Sequence, residues 1–495
     1  MESNIIEPVY KKNQYLDVKI EDMGPLGEGI AKIDGYAIFV KDAIVLDECQ
    51  VKIMKVHKTY AYARLEKIIT PSPYRVKPKC EVARKCGGCK IMAMDYERQL
   101  EYKKEKVLNN LYKIGGLEKG SFICEEIIGM ENPYNYRNKA QFPIGYNPKG
   151  KIVSGFYAGR THVIIENNLC HLGVPENEMI LNIIKGFMRE KNIEPYNEET
   201  FQGIIRHVMI RKGFFSGEIL ICIVINGDDI PFREELVNRL ITVEGVKSIS
   251  LSINKKNTNV IMGKEIKNIY GKDSIQDNIK DLKFNISPKS FFQVNPIQTE
   301  KLYDKALEYA DLTGNEVVWD LYCGIGSISL FLAKKAKKVY GVEIIKEAID
   351  DAKINAKSNG LDNVEFFVGK SEDVFKAYYE KHKDMKADVV VVDPPRKGCF
   401  KTLLDTIGEV KPEKVVYVSC DCATLARDIK ILGEYGYEVK KVCPVDMFPH
   451  TEHVEVVSLL QKMSNTRERT ITLDVEMEDY HRIKNRTEVT ADATE

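Results

Sequence analysis

A thiol and several carboxylates fall at the ends of apolar runs in the last quarter of the chain. Val389-Val390-Val391-Val392 stops at Asp393-Pro394-Pro395-Arg396-Lys397-Gly398, and Val415-Val416-Tyr417-Val418 stops at Ser419-Cys420-Asp421. A third segment, Val445 to Glu455, carries Asp446, His450, Glu452, His453 and Glu455. A cysteine and carboxylates gathered in this way are the ingredients of covalent catalysis, in which a thiolate adds to an electrophilic carbon and a base moves a proton. Each has a plainer reading beside it. A lone cysteine is more often a small buried hydrophobe, Cys422 competes with Cys420 as nucleophile, and Asp-Pro-Pro also serves as a rigid turn. His450 and His453 divide about evenly between core and function.

A second group of residues has the pattern of a small-molecule site. Val317 to Leu321 runs into Tyr322-Cys323-Gly324-Ile325-Gly326-Ser327, a glycine turn that opens a helix ending near Lys334. Lys338-Val339-Tyr340-Gly341-Val342 then ends at Glu343, placed to accept hydrogen bonds from ribose hydroxyls, with Ile344 beside it to flank an adenine. The missing third glycine of G-x-G-x-x-G turns the choice from a dinucleotide toward S-adenosylmethionine, which has no pyrophosphate to cradle.

A third group lies near the N-terminus. Cys80, Cys86 and Cys89 fall within ten residues on a loop softened by Gly87-Gly88. Three close thiols ask for a metal, and spacing alone leaves zinc and an iron-sulfur cluster about equal.

These residues need elements to hold them. From about residue 295 apolar strands alternate with helices, which predicts an open α/β sheet whose strand ends share one ligand crevice. Residues 15–69 alternate in a β manner, with Gly24, Gly27, Gly29 and Gly35 as punctuation, and predict a small barrel. Pro71, Pro73 and Pro78 lead into the cysteine loop, and Tyr96 to Ile114 is helical in period up to Gly115-Gly116. Residues from about 125 to 290 read as mostly strands. The expected units are an extension (1–14), the barrel (15–69), the cysteine loop with a β-rich central domain (70–290), the α/β domain (291–463) and a flexible polar tail (464–495). Lys+Arg and Asp+Glu are equal at 73 each, so any contact with nucleic acid must come from local patches. No apolar run approaches a bilayer span, and Met1-Glu2-Ser3-Asn4 lacks the features of a signal peptide; the expectation is a cytoplasmic protein with no membrane contact.

Taken together, three segments resemble the uracil-5-methyltransferase family of tRNA and 23S ribosomal RNA: Asp393-Pro394-Pro395-Arg396-x-Gly398, Val416-Tyr417-Val418-Ser419-Cys420-Asp421-x-x-Thr424, and Asp446-x-Phe448-Pro449-His450-Thr451-x-His453-Val454-Glu455. Ser287-Pro288-x-x-Phe291-Phe292-Gln293-Val294-Asn295 resembles the family's segment where target base and methyl donor meet. The resemblance implies an α/β fold, with a Rossmann-like class I methyltransferase domain behind an N-terminal TRAM barrel of the oligonucleotide-binding type. It implies methylation of uridine carbon 5, with Cys420 as nucleophile and Glu455 as base, while Gln293, Tyr322, Glu343 and Asp393 contact S-adenosylmethionine. A thiolate on carbon 6 makes carbon 5 an enolate carbon able to take the methyl group. Phe291 is a candidate stacking surface for a flipped base. The resemblance also implies a [4Fe-4S] cluster on Cys80, Cys86, Cys89 and Cys170, 23S ribosomal RNA as substrate with tRNA as the alternative, and a monomer. Cys422 departs from the family, which often has proline there. Lys55, Lys58, Tyr60, Tyr62 and Arg64 on the barrel, and Tyr136, Arg137 and Lys139 beyond it, are candidate RNA contacts. An RNA-binding protein with a degenerate catalytic domain is the contrasting class, and intact Cys420 and Glu455 argue against it.

Overall fold

The computed structural model describes residues 10–463 apart from residues 160, 168 and 383–385. The expected tail and most of the N-terminal extension lie outside the described residues. Six strands, β1 (Tyr15–Lys19), β2 (Asp22–Met23), β3 (Gly29–Ile33), β4 (Tyr36–Lys41), β5 (Glu48–Val56) and β6 (Tyr60–Thr70), form a barrel-like sheet in the order β1-β5-β6-β4-β3-β2. Alternate residues such as Ile38, Val40, Val51 and Ile53 fill its core, as the period of two requires. Gly29 is needed there, because a Cβ would lie 2.8 Å from Ile20 Cγ2 and 3.0 Å from the Ala43 carbonyl oxygen.

Helix α1 (Tyr96–Lys113) is capped by Asp95, whose carboxylate accepts the Arg98 N–H at 3.0 Å. Its buried face, Gln99, Tyr102, Lys103, Val107 and Leu111, follows helical spacing but is polar at one end. Val107 and Leu111 enter the core of the C-terminal α/β layer beside Tyr417 and Leu425. Strand β7 (Ile123–Cys124) also joins that layer's sheet. The catalytic body therefore recruits residues from well before position 291.

The central sheet comprises β8 (Lys139–Tyr146), β9 (Ile152–Tyr157), β10 (Ile164–Glu166), β11 (Ile205–Lys212), β12 (Ile219–Ile225), β13 (Val246–Ile253) and β14 (Glu265–Gly271), in the order β10-β9-β8-β11-β12-β13-β14. Two helices absent from the strand reading of this region, α2 (Glu176–Glu190) and α3 (Arg233–Leu240), pack on it. Ile180, Leu181, Ile184, Phe187 and Met188 make the apolar stripe of α2 against Ile210, Ile221 and Ile223. The hairpin of β15 (Ile275–Ile279) and β16 (Leu282–Ile286) follows; its buried residues share a core with the α/β layer.

That layer contains α4 (Pro296–Ala310), β17 (Val317–Leu321), α5 (Ser327–Ala333), β18 (Lys338–Glu343), α6 (Lys346–Ser358), β19 (Val364–Val368), α7 (Ser371–Lys381), β20 (Val389–Val392), α8 (Lys401–Val410), β21 (Lys414–Ser419), α9 (Cys422–Glu434), β22 (Tyr437–Val445) and β23 (Glu455–Lys462). Its sheet runs β19-β18-β17-β20-β21-β23-β22-β7. The first five strands are parallel and β23 inserts antiparallel between β21 and β22. From β17 the chain goes first to β18 on one side and later to β20 on the other. The crevice of an open α/β sheet lies at such a reversal, at the carboxyl ends of the strands.

Candidate active site

A cavity of about 960 Å³ opens at that reversal. Its floor is the turn after β17, where Tyr322, Gly324 and Gly326 all take positive φ (71°, 56° and 80°). At Gly326 a Cβ would lie 2.9 Å from the Phe366 ring, so glycine is required for conformation and for space. Glu343, the last residue of β18, accepts the N–H groups of Gly324 (3.3 Å) and Ile345 (3.0 Å), which fixes its carboxylate at the cavity wall. Ile344 stands largely exposed beside it and lines the same cavity. Gln293 and Phe291 form the opposite wall, Gln293 buried and Phe291 68% exposed at the mouth.

The chemistry-bearing residues come from three strand ends. Asp393 follows β20 and Cys420 follows β21. The β21–β23 register pairs Ser419 with Val456, so one further step sets Cys420 against Glu455 across the two strands. All three line the cavity with Arg396. Glu455 is 3% exposed, and burial, with the nearby Asp393 carboxylate, pushes its pKa up to about 8 against the opposing pull of Arg396. Asp393 is pushed up to about 7 by burial and by Asp320. Cys420, half-buried, is pushed up to about 12 by burial, then by Glu455 and Asp393, with Arg396 opposing. The site is thus a cluster of groups made reluctant to ionise.

Cys422 does not compete for this position. It is the first residue of α9, is buried against the helix core, and does not line the cavity. Asp421 caps α9 by accepting the N–H groups of Ala423 and Thr424, both at 3.0 Å, which turns Cys420 out of the helix and toward the crevice. His453 also reaches the cavity, 3.2 Å from an Arg396 guanidinium nitrogen, with its ring pushed down to about 4, chiefly by burial. His450 is buried and does not line it.

The loop that ends at Glu455 is held from distant parts of the chain. Asp446, fully buried, receives the Lys103 ammonium at 2.5 Å and the Tyr96 hydroxyl at 2.9 Å. Gln99 accepts the His450 N–H at 2.9 Å, and Tyr136 donates to the Pro449 carbonyl at 3.1 Å. His450 itself has φ 68°, and its carbonyl accepts the N–H groups of Lys90 (3.1 Å) and Ile91 (3.2 Å). Lys90 also pairs with Glu452 at 2.5 Å. The cysteine loop therefore abuts the segment that carries Glu455. On the other wall, the Arg211 guanidinium donates to the carbonyls of Ser287 (3.3 Å) and Ser290 (2.8 Å), and Asn138 donates through Nδ2 to the Gln293 carbonyl at 3.1 Å. None of Lys103, Tyr96, Gln99, Arg211 or Asn138 stood out as a site residue in the sequence. Gln99 and Lys103 on the buried stripe of α1 were the available signal.

Cys80, Cys86, Cys89 and Cys170 face one another, all as free thiols. Burial raises the pKa of Cys80, Cys86 and Cys89, and each of the three is raised further by Cys170. Cys80, Cys89 and Cys170 pack on Met92, Met130, Tyr136 and Leu172, an apolar wall. Among the described residues no three His, Cys, Asp or Glu side chains close to the spacing of a single metal ion. Four free thiols gathered against an apolar wall fit the donor chemistry of an iron-sulfur cluster.

The fold and cavity define the class: an S-adenosylmethionine-dependent methyltransferase carrying an N-terminal β-barrel. Known proteins make that class specific. The TRAM domain family matches residues 10–65, and the tRNA (Uracil-5-)-methyltransferase family matches residues 234–463. An RNA methyltransferase of Clostridium tetani is 52% identical over 91% of this chain and 97% of its own, and one of Bacillus cereus (strain ATCC 10987) is 48% identical over 93% and 99%. The crystal structure of Pyrococcus abyssi tRNA (uracil-54, C5)-methyltransferase in complex with S-adenosyl-L-homocysteine is similar with a TM-score of 0.72 and 28% identity, covering 90% of this chain and 99% of that one. This chain belongs to the RNA uracil-5-methyltransferase family.

Proposed function

We propose that this protein methylates carbon 5 of a uridine in 23S ribosomal RNA through a covalent bond between Cys420 and carbon 6 of the base. The observation that carries the reading is the nearness of Cys420 and Glu455, which flank the Ser419–Val456 pair where β21 meets β23, in a cavity also lined by Asp393 and Arg396. When bound, S-adenosylmethionine supplies an electrophilic methyl group on a sulfonium. Gln293, Tyr322, Glu343 and Asp393 are the residues proposed to hold it, and the carboxylates of Glu343 and Asp393 suit a ligand bearing ribose hydroxyls and positive charge. Cys420 loses its proton to solvent and adds to carbon 6 as the thiolate, and the electron pair of the carbon 5–carbon 6 double bond moves toward carbon 5 and oxygen 4. Carbon 5 takes the methyl group as the sulfur–methyl bond breaks, the sulfur keeping the pair and leaving as the neutral thioether S-adenosylhomocysteine. Glu455 then removes the proton from carbon 5, the carbon 6–sulfur bond breaks, and the thiolate is restored. Phe291, exposed at the mouth, offers a face on which the extruded base can stack.

Cys80, Cys86, Cys89 and Cys170 are proposed to hold a [4Fe-4S] cluster, whose chemistry there is to cross-link four thiolates and stiffen the loop. Lys90 and Ile91, one and two residues past Cys89, pass that stiffness to His450. The free thiols fit a reducing cytoplasm, and no helix among the described residues is long and apolar enough to cross a membrane. A second reading keeps the reaction and changes the substrate to the T-loop of tRNA; the Pyrococcus abyssi similarity favours it. Methyl transfer from labelled S-adenosylmethionine to unmodified 23S ribosomal RNA and tRNA, side by side, with nucleoside mass spectrometry, separates them. Label as 5-methyluridine in the ribosomal RNA alone is the expected result; label in tRNA alone replaces the substrate, and label in neither overturns the reading.

A further inference from the structure

Lys139 and Arg211 are direct cross-strand partners in the β8–β11 register, which sets two cations opposite each other on one face of the central sheet. Like charges so placed destabilise a sheet, and a carboxylate nearby is the usual remedy. None is present. Arg211 is almost fully buried, spends its guanidinium on the Ser287 and Ser290 carbonyls, and leaves Nε without a partner. Arg137 adds a third positive charge, its Nε donating to the Lys139 carbonyl at 3.0 Å. Among the described residues the Lys139 ammonium has no hydrogen bond and no ion pair, although it is only partly exposed. Burial, followed by Arg211 and Arg137, pushes its pKa down to about 8. The residue after Arg211 shows the contrast: Lys212 is paired with Glu176 at 2.6 Å.

The position of this uncompensated charge indicates its ligand. Arg211 grips the Ser287–Ser290 turn, from which the chain proceeds directly to Phe291 and Gln293 in the cavity wall. We propose that Lys139, with Arg137 beside it, seats a backbone phosphate of the RNA strand that flanks the extruded uridine. An anion there relieves the repulsion that the empty sheet carries, and it ties the strand to the same turn that presents Phe291. The seat acts on RNA of any sequence, because a phosphate contact positions the strand without reading bases. This inference rests on the reading of the protein as an RNA-modifying enzyme, and deepens it.

The test uses the full chain with Lys139→Met and Lys139→Arg variants. Binding of 23S ribosomal RNA and tRNA transcripts is measured over a series of salt concentrations, with S-adenosylhomocysteine affinity and melting temperature as controls. Lys139→Met is expected to bind RNA about tenfold more weakly, with a salt slope smaller by about one, while Lys139→Arg restores both. S-adenosylhomocysteine binding stays unchanged, and Lys139→Met melts at or above the wild-type temperature because a like-charge pair is gone. RNA affinity and salt slope unchanged in a folded Lys139→Met protein would overturn the seat while leaving the enzymatic reading intact. Wild-type protein that binds RNA with a Lys139-dependent slope and yet forms no 5-methyluridine would sustain the seat and defeat the proposed reaction. Absence of RNA binding by the wild type would defeat both.

Discussion

Glu455 carries two opposite pH dependences in one carboxyl group. In its proposed role as base it must be ionised, so turnover should rise with pH through about 8, the value to which burial and Asp393 push it. Asp393→Asn removes a like charge and should move that inflection to lower pH while weakening donor binding; an unmoved inflection would detach the limb from this pair. Stability runs the other way. A carboxyl whose folded pKa lies above its unfolded value, near 4.5 here, contributes fully below the unfolded value and loses that contribution as pH rises through the folded one. Glu455→Gln should therefore be more stable than the wild type at pH 9, by on the order of a few kcal/mol, and show little difference at pH 5. Urea unfolding at the two pH values checks this, and an equal difference at both would contradict the buried, raised carboxyl. The placement of these residues was legible in the sequence because Tyr322, Asp393 and Cys420 each follow a strand end and Glu343 closes one, where local spacing reveals position. Their shifted ionisation was not, since it arises from neighbours such as Asp320 and Arg396 brought close only by the sheet.

Among the elements, α1 and the loop before β23 depend on one another. Lys103 and Asp446 are both fully buried and lie 343 positions apart in the chain. Removing one member of such a pair leaves an uncompensated charge in the interior. Lys103→Ala should cost about 3–5 kcal/mol, measured by urea unfolding, whereas a loss below about 1 kcal/mol would show that Asp446 finds water or another partner. The helix itself was legible: helical period from Tyr96 to Ile114 and the glycines that follow marked its limits, which the structure places at Tyr96–Lys113. Its partner was not, because a buried lysine on an amphipathic stripe looks like a solvated edge until the opposing loop is known. The α2 segment shows a different failure. Its stripe of Ile180, Leu181, Ile184 and Phe187 is plain in retrospect, but it lies among strands whose β-branched residues dominate the local pattern.

At the scale of the whole molecule, the cysteine loop and the central sheet each brace one wall of the cavity. Lys90, Ile91 and Tyr136 hold the Glu455 wall, and Arg211 and Asn138 hold the Gln293 wall. Replacing Cys80, Cys86 and Cys89 together by serine should remove bound iron and sulfide and lower turnover at least tenfold, with S-adenosylhomocysteine binding retained. Protein purified without oxygen provides the iron and sulfide analysis; one tightly bound zinc and no iron in the wild type would reject the cluster. A melting temperature that falls by several degrees on loss of the thiols would place the brace in folding stability as well as in catalysis. The four thiols illustrate how far sequence spacing reaches. Cys80, Cys86 and Cys89 announced themselves by proximity, while Cys170 joins them only because the chain returns beside the loop after β10.

The claim on which the rest depends is the bond between Cys420 and uridine carbon 6. Glu455→Gln retains the thiol and loses the base, so incubation with methyl donor and RNA should leave protein and RNA joined. Denaturing electrophoresis followed by mass spectrometry of the digested complex should find one nucleotide, carrying the transferred methyl group, on the peptide containing Cys420, and nothing on that peptide in Cys420→Ala. Slow formation of free 5-methyluridine by Cys420→Ala, or a joined nucleotide on another residue, would contradict the covalent mechanism.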